Sequence, residues 1–304
     1  MKVILLGTGG TMPTLRRGLP SVALQREGNI FLFDCGEGTQ TKIIQASLSP
    51  GKLFAIFLSH LHGDHVTGLP GLLMTIMHQS REKPLLIFGP PGTEEYINLT
   101  RKCLRFNPRY FLDIREVTEG RIFSGTGFWI EAVPVNHRVY TLAFSLEEEP
   151  RPGRFFPEKA KALGVPEGPL FGQLQKGKTL TLENGRIITP SMVMGPPRKG
   201  RKFVYITDTR PCEQAIKIAR GADVLIHEGM FTSDMEEEAK EKGHSTVAEA
   251  AKVALEAKVN NLIITHISTR YHRIEELLQE ARSIFPKAII GRDLMEFEIP
   301  VHKD

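Results

Sequence analysis

The sequence predicts an α/β protein that carries a metal-binding site at the ends of its strands and a basic segment inserted into the fold. Short apolar runs typical of buried strands alternate with helical stretches along the 304-residue chain. Residues 58–65, Leu-Ser-His-Leu-His-Gly-Asp-His, place three histidines and a carboxylate on the loop after such a run. Residues 151–202 are rich in Lys, Arg, Gly and Pro.

The composition restricts the class of protein. With 41% hydrophobic residues, the chain can bury a substantial core as one large domain or two smaller ones. It contains no apolar run of about 18 residues, the length that crosses a membrane, and the first strand reaches a glycine run too soon for a signal peptide. Cys35, Cys103 and Cys212 form no disulfide pattern, which fits a reducing cytoplasm.

The first strand, residues 1–6, is followed by Gly-Thr-Gly-Gly-Thr at 7–11. This run is similar in composition to a phosphate-binding loop, but it lacks the G-x-G-x-x-G spacing and Pro13 follows, so a tight turn between strands is predicted. Residues 21–25 and 29–33 are predicted to form a hairpin. Helices are expected at 69–79 and 93–106, the second with Thr93 as its N-cap.

The loop after the strand at 53–58 has the composition of a metal site. One residue separates His60 from His62, so in an extended segment both rings face the same side. Gly63 lets the chain turn and direct Asp64 and His65 elsewhere. Nitrogen and oxygen ligands without thiolates suit zinc, or less well manganese, and two diverging pairs suggest two ions. The alternative is a polar loop with a fortuitous histidine cluster.

Other candidate residues also lie where predicted strands end. His137 follows the strand at 128–135, Asp208 follows 202–207 and His266 follows 261–265. Asp34 follows the strand at 29–33. A histidine at the end of a strand is, taken alone, more often structural, but a carboxylate such as Asp208 can bridge two cations with its two oxygens.

The His-x-His-x-Asp-His pattern resembles the signature of the metallo-β-lactamase-fold hydrolases. The resemblance implies a four-layer αββα sandwich with metals at one edge of its two sheets. Residues 33–40, Phe-Asp-Cys-Gly-Glu-Gly-Thr-Gln, further resemble the opening motif of the tRNA 3′-processing endonucleases of the ribonuclease Z family. This second resemblance covers nearly the whole chain, and it implies an inserted flexible arm, the exosite, that grips the tRNA.

The resemblance also implies a ligand set. One zinc ion is expected on His60, His62 and His137, and a second on Asp64, His65 and His266, with Asp208 bridging them. Seven ligands are too many for one tetrahedral zinc and suit two ions roughly 3.5–4 Å apart. Asp34 is expected to support the metal loop without binding metal, and the alternative for it is a buried structural carboxylate.

The resemblance also implies catalytic roles for Asp64 and His244. Asp64 is the expected general base for a water activated by the two zinc ions. Residues 243–246, Gly-His-Ser-Thr, precede a helix and resemble the family's catalytic histidine loop, so His244 is expected to stabilise the transition state or protonate the leaving 3′ oxygen. Glu228 is expected to orient that imidazole, with His227 as a further supporting group. The alternative for this run is a helix cap, with Ser245 or Thr246 as the capping residue.

Residues 151–202 contain eleven Lys or Arg and three acidic residues, a charge of +8 in a chain of net charge +4. An inserted, partly extended arm that binds phosphates is predicted, and the alternative is a solvated basic loop. Residues 161–177 resemble the Gly-Pro-rich arm of the short-form family members, although Gln173 and Gln175 replace more basic residues there. The arm residues expected to bind tRNA are Lys176, Lys178, Arg198, Lys199, Arg201 and Lys202.

The predicted function is therefore a zinc-dependent endoribonuclease that removes the 3′ trailer from precursor tRNA. Residues 1–150 and 203–304 are expected to form the catalytic domain and 151–202 the tRNA-binding arm. Two zinc ions per subunit and a homodimer follow from the resemblance, as do a 3′-hydroxyl on the tRNA and a 5′-phosphate on the trailer. The alternatives are a phosphodiesterase or arylsulfatase acting on small molecules, and a non-catalytic RNA-binding protein on the same fold.

Overall fold

The computed structural model describes residues 1–79 and 81–302. These residues divide into two compact units. The larger unit combines Met1–Glu147 with Lys202–Ile299, and the smaller one combines Glu148–Arg201 with the described residues after Ile299. Within the part of the chain that the structure describes, no helix is long and apolar enough to cross a membrane.

The larger unit contains two seven-stranded sheets. The first has the spatial order β16 (Glu296–Glu298), β1 (Lys2–Gly7), β2 (Ser21–Arg26), β3 (Asn29–Phe33), β4 (Leu53–Phe57), β5 (Leu85–Gly89) and β6 (Leu112–Glu116). The second has the order β15 (Ala288–Ile290), β14 (Leu262–Thr265), β13 (Val224–Glu228), β12 (Lys202–Ile206), β9 (Thr141–Glu148), β8 (Phe128–Val135) and β7 (Gly120–Gly125).

Each sheet has a parallel half. In the first sheet β3, β4, β5 and β6 pair in parallel. In the second sheet β12, β13, β14 and β15 do the same. Parallel neighbours bring their carboxyl ends to one edge of a sheet, where ligands commonly bind. The loops after β3, β4, β12 and β14, which carry most of the candidate residues, therefore leave the sheets from such edges.

Three apolar clusters define four layers. Phe33 and Phe57 of the first sheet meet Phe144 and Phe203 of the second in a buried cluster between the sheets, and the rings of Phe33 and Phe203 lie 5.0 Å apart. A second cluster joins the first sheet to helices α1 (Thr39–Gln45), α3 (Leu69–Met77) and α4 (Thr93–Leu104). A third joins the second sheet to α8 (Glu213–Ala219), α10 (Val247–Glu256) and α11 (Glu275–Ile284). The predicted αββα sandwich is confirmed.

The structure confirms some of the predictions for turns and helix caps and contradicts others. Glu27 and Gly28 both have positive φ, 48° and 81°, as the tightest hairpin turn requires. The predicted cap of α4 is wrong, because the N-cap is Gly92 with a φ of 96° and the Thr93 hydroxyl donates to the Pro90 carbonyl instead. The predicted cap of α10 is confirmed at Thr246, which accepts a hydrogen bond from the Glu249 amide.

The glycine run after β1 opens a long loop, from Thr8 to Pro20, where a tight turn was predicted. The Gly10 amide donates to the Ile267 carbonyl at 3.1 Å, and the Ile267 amide donates to the Thr8 carbonyl at 3.0 Å. A β-carbon on Gly10 would lie 2.7 Å from the Nδ1 atom of His266. Gly10 is therefore required because the backbone passes directly beside His266, whereas β-carbons on Gly7 and Gly9 would meet Leu19 and Arg17.

The smaller unit has its own elements. They are α5 (Pro157–Ala162), α6 (Pro169–Gln175), α7 (Pro190–Val193), and a hairpin of β10 (Leu180–Thr181) and β11 (Ile187–Ile188). Six buried side chains form its core: Ala160, Val165, Leu174, Leu180, Ile188 and Val193. The segment predicted to be partly extended thus also folds around a small core. The remaining helices, α2 (Gly63–Val66) and α9 (Glu236–Lys242), belong to the larger unit.

Candidate metal centre

Asp34 organises the loop that follows β4. This fully buried carboxylate accepts hydrogen bonds from the Ser59 amide at 2.7 Å and the Ser59 hydroxyl at 2.8 Å. Its Oδ2 atom also lies 2.8 Å from the Tyr205 hydroxyl and 2.8 Å from His65 Nδ1. With Nδ1 of His65 engaged, its Nε2 atom is left for a ligand, the usual support for a metal-binding histidine.

His60 and His62 converge as their spacing suggested. His60 Nε2 lies 3.0 Å from His62 Nδ1, a distance at which two nitrogens can share one cation. His62 is the N-cap of the short helix α2, which then carries Asp64 and His65. The backbone changes from extended at His62 to helical at Gly63, and the rings of His60 and His65 lie 4.2 Å apart.

The two oxygens of Asp208 face different histidines. Its Oδ2 atom lies 3.5 Å from His60 Nε2 and 3.8 Å from His137 Nε2. Its Oδ1 atom lies 3.3 Å from His65 Nε2 and 3.2 Å from His266 Nε2. Asp64 approaches the second pair, with Oδ2 at 3.6 Å from His65 Nε2 and 3.5 Å from His266 Nε2.

The potential ligand atoms form three overlapping groups, each with its ligand atoms within 4.8 Å of one another. The first is His60, His62, His137 and Asp208, the second is Asp64, His65 and His266, and the third is Asp208, His244 and His266. Among the described residues, the buried Nε2 atoms of His65, His137 and His266 have no hydrogen-bond partner. Leaving buried nitrogens without partners is costly unless they bind a cation. The donor set fits a divalent metal ion.

Backbone strain accompanies the site. Asp34, Asp208 and His266 adopt positive φ angles of 56°, 32° and 58°. Such angles cost a non-glycine residue about 1–3 kcal/mol and persist where the surrounding structure holds them in place. All three residues lie at or just after the end of a strand, and their side chains contact other candidate residues of the centre.

His244 lies beside these groups. Its Nδ1 atom is 3.0 Å from Oε1 of the buried Glu228, and its ring centroid lies 5.2 Å from those of both His137 and His266. Glu228 also accepts the Thr209 amide at 2.9 Å. The neighbouring His227 directs its Nδ1 atom to the Glu228 carbonyl at 2.6 Å, so it supports the strand backbone and not the His244 ring.

Two family models match the chain. One is described as a beta-lactamase superfamily domain and matches residues 175–267, and the other is described as the anti-Pycsar protein Apyc1 and matches residues 1–146. Among curated relatives, the Ribonuclease Z of Methanosarcina acetivorans is 45% identical, over 99% of this chain and 98% of its own length. That of Methanothermobacter thermautotrophicus is also 45% identical, with 99% and 98% covered. The chain belongs to the ribonuclease Z family.

A solved structure agrees with this assignment. Human tRNase Z, short form, superposes with a TM-score of 0.74 at 28% identity, and the match covers 99% of this chain and 100% of that one. The metallo-beta-lactamase fold protein YhfI from Bacillus subtilis shares the fold, with a TM-score of 0.70 at 20% identity. The predicted family and fold are both confirmed.

The electrostatics of this ribonuclease Z family member differ between neighbouring histidines. Burial lowers the pKa of His60 well below its usual value. Burial acts on His65 in the same direction, but the carboxylates of Asp208 and Asp34 outweigh it and raise the pKa of His65 well above that value. Cation binding therefore competes with protonation more strongly at His65 than at His60.

Two of the six arm residues predicted to bind RNA, Arg201 and Lys202, form ion pairs that bury most of their side chains. Arg201 forms an ion pair with Glu148 at 2.7 Å, with its side chain 14% exposed. Lys202 pairs with Glu147 at 3.3 Å, with its side chain 13% exposed. Because these cations are paired and largely desolvated, they are poorly suited to phosphate. Lys176, Lys178 and Lys199 are exposed and Arg198 is half-buried, so for these four RNA binding stays a prediction.

Several supporting residues of this ribonuclease Z family site were not identified from the sequence. Tyr205 lies inside an apolar strand and contacts Asp34, 171 positions earlier in the chain. The Thr11 amide donates to Asp64 Oδ2 at 3.0 Å. The only sequence signal for Tyr205 was a polar aromatic residue near the end of a buried strand. Thr11 contributes a backbone group, which no residue pattern reveals.

Proposed function

We propose that the protein is a zinc-dependent endoribonuclease that removes the 3′ trailer from precursor tRNA, leaving a 3′-hydroxyl on the tRNA and a 5′-phosphate on the trailer. Support comes from relatives named Ribonuclease Z that match the full chain, and from the likeness to human tRNase Z. The observation that carries the proposal is the division of the Asp208 oxygens between two groups of histidine nitrogens.

Two zinc ions per subunit are proposed. When bound, the ions would supply Lewis acidity, lowering the pKa of water to about neutrality and neutralising charge that develops on phosphoryl oxygens. The residues proposed to hold them are His60, His62 and His137 for one ion, Asp64, His65 and His266 for the other, and Asp208 for both.

Asp64 is the proposed general base. Burial alone would raise its pKa, but the adjacent rings of His266 and His65 hold it well below its usual range, so the carboxylate is ionised at neutral pH. The Thr11 amide fixes its Oδ2 atom at 3.0 Å. Asp64 is thus the partly exposed carboxylate of the centre, open to an incoming water, whereas Asp208 is buried.

His244 is the proposed general acid. Burial disfavours its charged form, but the Glu228 carboxylate prevails and raises the pKa of His244 to about 9. The imidazole therefore carries a proton at neutral pH. Because Nδ1 is held by Glu228, Nε2 is the atom that would donate this proton to the leaving ribose 3′ oxygen. Glu228 orients the ring, and Asp34 positions the metal loop.

The segment of residues 151–202 is proposed to bind the body of the tRNA. Its charge of +8 and the exposure of Lys176, Lys178 and Lys199 support this. Phosphate binding of this kind depends on total charge and on salt. We also propose a homodimer in which the arm of one subunit serves the other, and a cytoplasmic location in keeping with the three free cysteines.

Cleavage of an end-labelled precursor tRNA by the zinc-loaded protein, mapped to the nucleotide, tests the proposed function. A single cut just after the discriminator base is expected. An intact tRNA together with hydrolysis of a small aryl phosphodiester would overturn the tRNA assignment and leave a small-molecule phosphodiesterase.

The variant Asp64→Ala tests the proposed base. Cleavage is expected to fall by three or more orders of magnitude, on the order of the several kcal/mol that metal-site groups contribute to the transition state. Binding of tRNA, measured by filter retention, is expected to stay within about twofold. Asp113→Ala, which removes a carboxylate paired with Arg115 on the surface, is the control. Retained cleavage by Asp64→Ala would exclude Asp64 as the base.

A further inference from the structure

Arg210 connects three loops that carry candidate site residues. It lies two positions after Asp208, and its amide donates to the Asn136 carbonyl at 2.7 Å, next to His137. Asn136 and Arg210 form an isolated antiparallel bridge. The Asn136 amide in turn donates to the Thr209 hydroxyl at 3.1 Å. The backbone of Arg210 thereby joins the loop of Asp208 to the loop of His137.

The guanidinium of Arg210 reaches the third loop. Its Nη1 atom donates to the backbone carbonyl of His244 at 2.6 Å. The same atom donates to Glu249 Oε2 at 2.8 Å, and Nη2 donates to Glu249 Oε1. Glu249 also accepts the Thr246 amide at 2.8 Å, within the capping box of α10. One fork of donors therefore holds both the carbonyl of His244 and the first turn of the helix behind it.

These contacts fix His244 at three points. The ring is held through Nδ1 by Glu228 at 3.0 Å, and the amide donates to the Ala239 carbonyl at 2.8 Å. The carbonyl is held by Arg210. Without the third contact the backbone could rotate between the other two, and Nε2 would move relative to Asp208 and His266. Displacement of a reacting group by about 1 Å can cost roughly a hundredfold in rate.

The ion pair of Arg210 and Glu249 is suited to fixing the position of the guanidinium. The side chains of Arg210 and Glu249 are only 16% and 14% exposed, so both charges are largely desolvated. Two parallel N–H···O bonds to one carboxylate define both distance and angle, which a lysine ammonium cannot reproduce.

We propose that Arg210, held by Glu249, is a positioning residue that aligns His244 for proton transfer. The inference rests on the proposed function in assigning a proton-transfer role to His244. The guanidinium of Arg210 donates to the His244 carbonyl and to Glu249, so it acts through the His244 carbonyl. Its removal affects kcat and leaves KM and the metal content near the wild-type values.

A double-mutant cycle tests this role. Arg210→Ala is expected to lower kcat for precursor tRNA by roughly ten- to a hundredfold, the usual cost of losing such an outer partner. In a protein that already carries His244→Ala, the same change is expected to have little further effect, because residues that act through one another are non-additive. An equal loss in both backgrounds would overturn the inference.

Two further variants separate positioning from folding. Glu249→Gln retains a side chain that can serve the capping box but removes the charge that orients Arg210, and it is expected to reproduce most of the kcat loss. Arg210→Lys is expected to remain impaired, whereas guanidinium ions are expected to restore part of the activity of Arg210→Ala. Arg115→Ala breaks a two-bond pair with Asp113 on the surface; it is the control and is expected to show neither loss nor rescue.

Amide hydrogen exchange provides a readout that does not depend on activity. Arg210→Ala is expected to speed exchange in residues 243–249 while exchange in α3 stays at the wild-type rate. Unchanged exchange in 243–249 would contradict the inference even if the wild-type protein did not cut precursor tRNA. Failure of wild-type cleavage, by contrast, would overturn the proposed function alone.

Discussion

The metal centre and the basic segment Glu148–Arg201 use charge in opposite ways. In the centre, Asp34, His60 and His65 are fully buried; Asp34 lies 2.7 Å from the Ser59 amide and 2.8 Å from His65 Nδ1, and His60 Nε2 lies 3.5 Å from Asp208. In the segment, Lys176, Lys178 and Lys199 are exposed to solvent. Buried charges act through distance and angle, whereas exposed ones act mainly through their sum and are screened by salt.

The contrast also appears within the segment. Arg201 is paired with Glu148 and largely buried, so its charge serves the fold. The exposed lysines make a surface that suits a polyanion without specifying its sequence. A single substitution is therefore expected to be severe in the centre and mild in the segment, where only the removal of many charges should be severe.

Asp208→Ala is expected to have the largest effect. It removes both oxygens that lie between the two groups of histidines, so cleavage should fall by at least about a thousandfold. Bound metal, measured by atomic emission after gel filtration, should fall as well. If the Asp208→Ala variant kept the metal content and the cleavage rate of the wild type, the metal centre would tolerate a single substitution as well as the basic segment is expected to.

Replacing most of the basic segment is expected to have the next largest effect, and this effect is on the binding of precursor tRNA. The Gly195 amide donates to the Arg154 carbonyl at 2.8 Å, so the residues between them can be exchanged for a short Asn-Gly turn. Affinity for precursor tRNA is expected to fall roughly a hundredfold through lost phosphate contacts. Hydrolysis of a small aryl phosphodiester should stay within about threefold. An equal loss of both activities would assign the segment a structural role.

Removing two exposed lysines is expected to have the smallest effect. Lys176→Ala combined with Lys178→Ala should reduce the slope of log K against log salt by about 1.5–2. Arg201→Ala is the matched control, because its charge is paired with Glu148; it should lower the denaturation midpoint and leave the slope unchanged. If the salt slope changed with Arg201→Ala and not with the lysine substitutions, Arg201 and not the exposed lysines would be the residue that contacts phosphate.

The sequence by itself determined the fold class and the composition of the site. Apolar runs of strand length end at Asp34, His60, Asp208 and His266, and such runs are informative because burial of a parallel strand requires them. The motif at 60–65 determines which donor atoms are available. The excess charge of residues 151–202 is likewise a property of composition.

Only the tertiary structure decided which atoms face one another. Three sets of contacts join residues that are far apart in the chain. The Asp208 oxygens face two groups of histidines, the Tyr205 hydroxyl donates to Asp34, and the Arg210 guanidinium donates to Glu249. The same holds for the ion pairs that engage Arg201 and Lys202. Local periodicity reports which face of an element is buried, but the partner across a layer is set by the packing of two sheets and their loops.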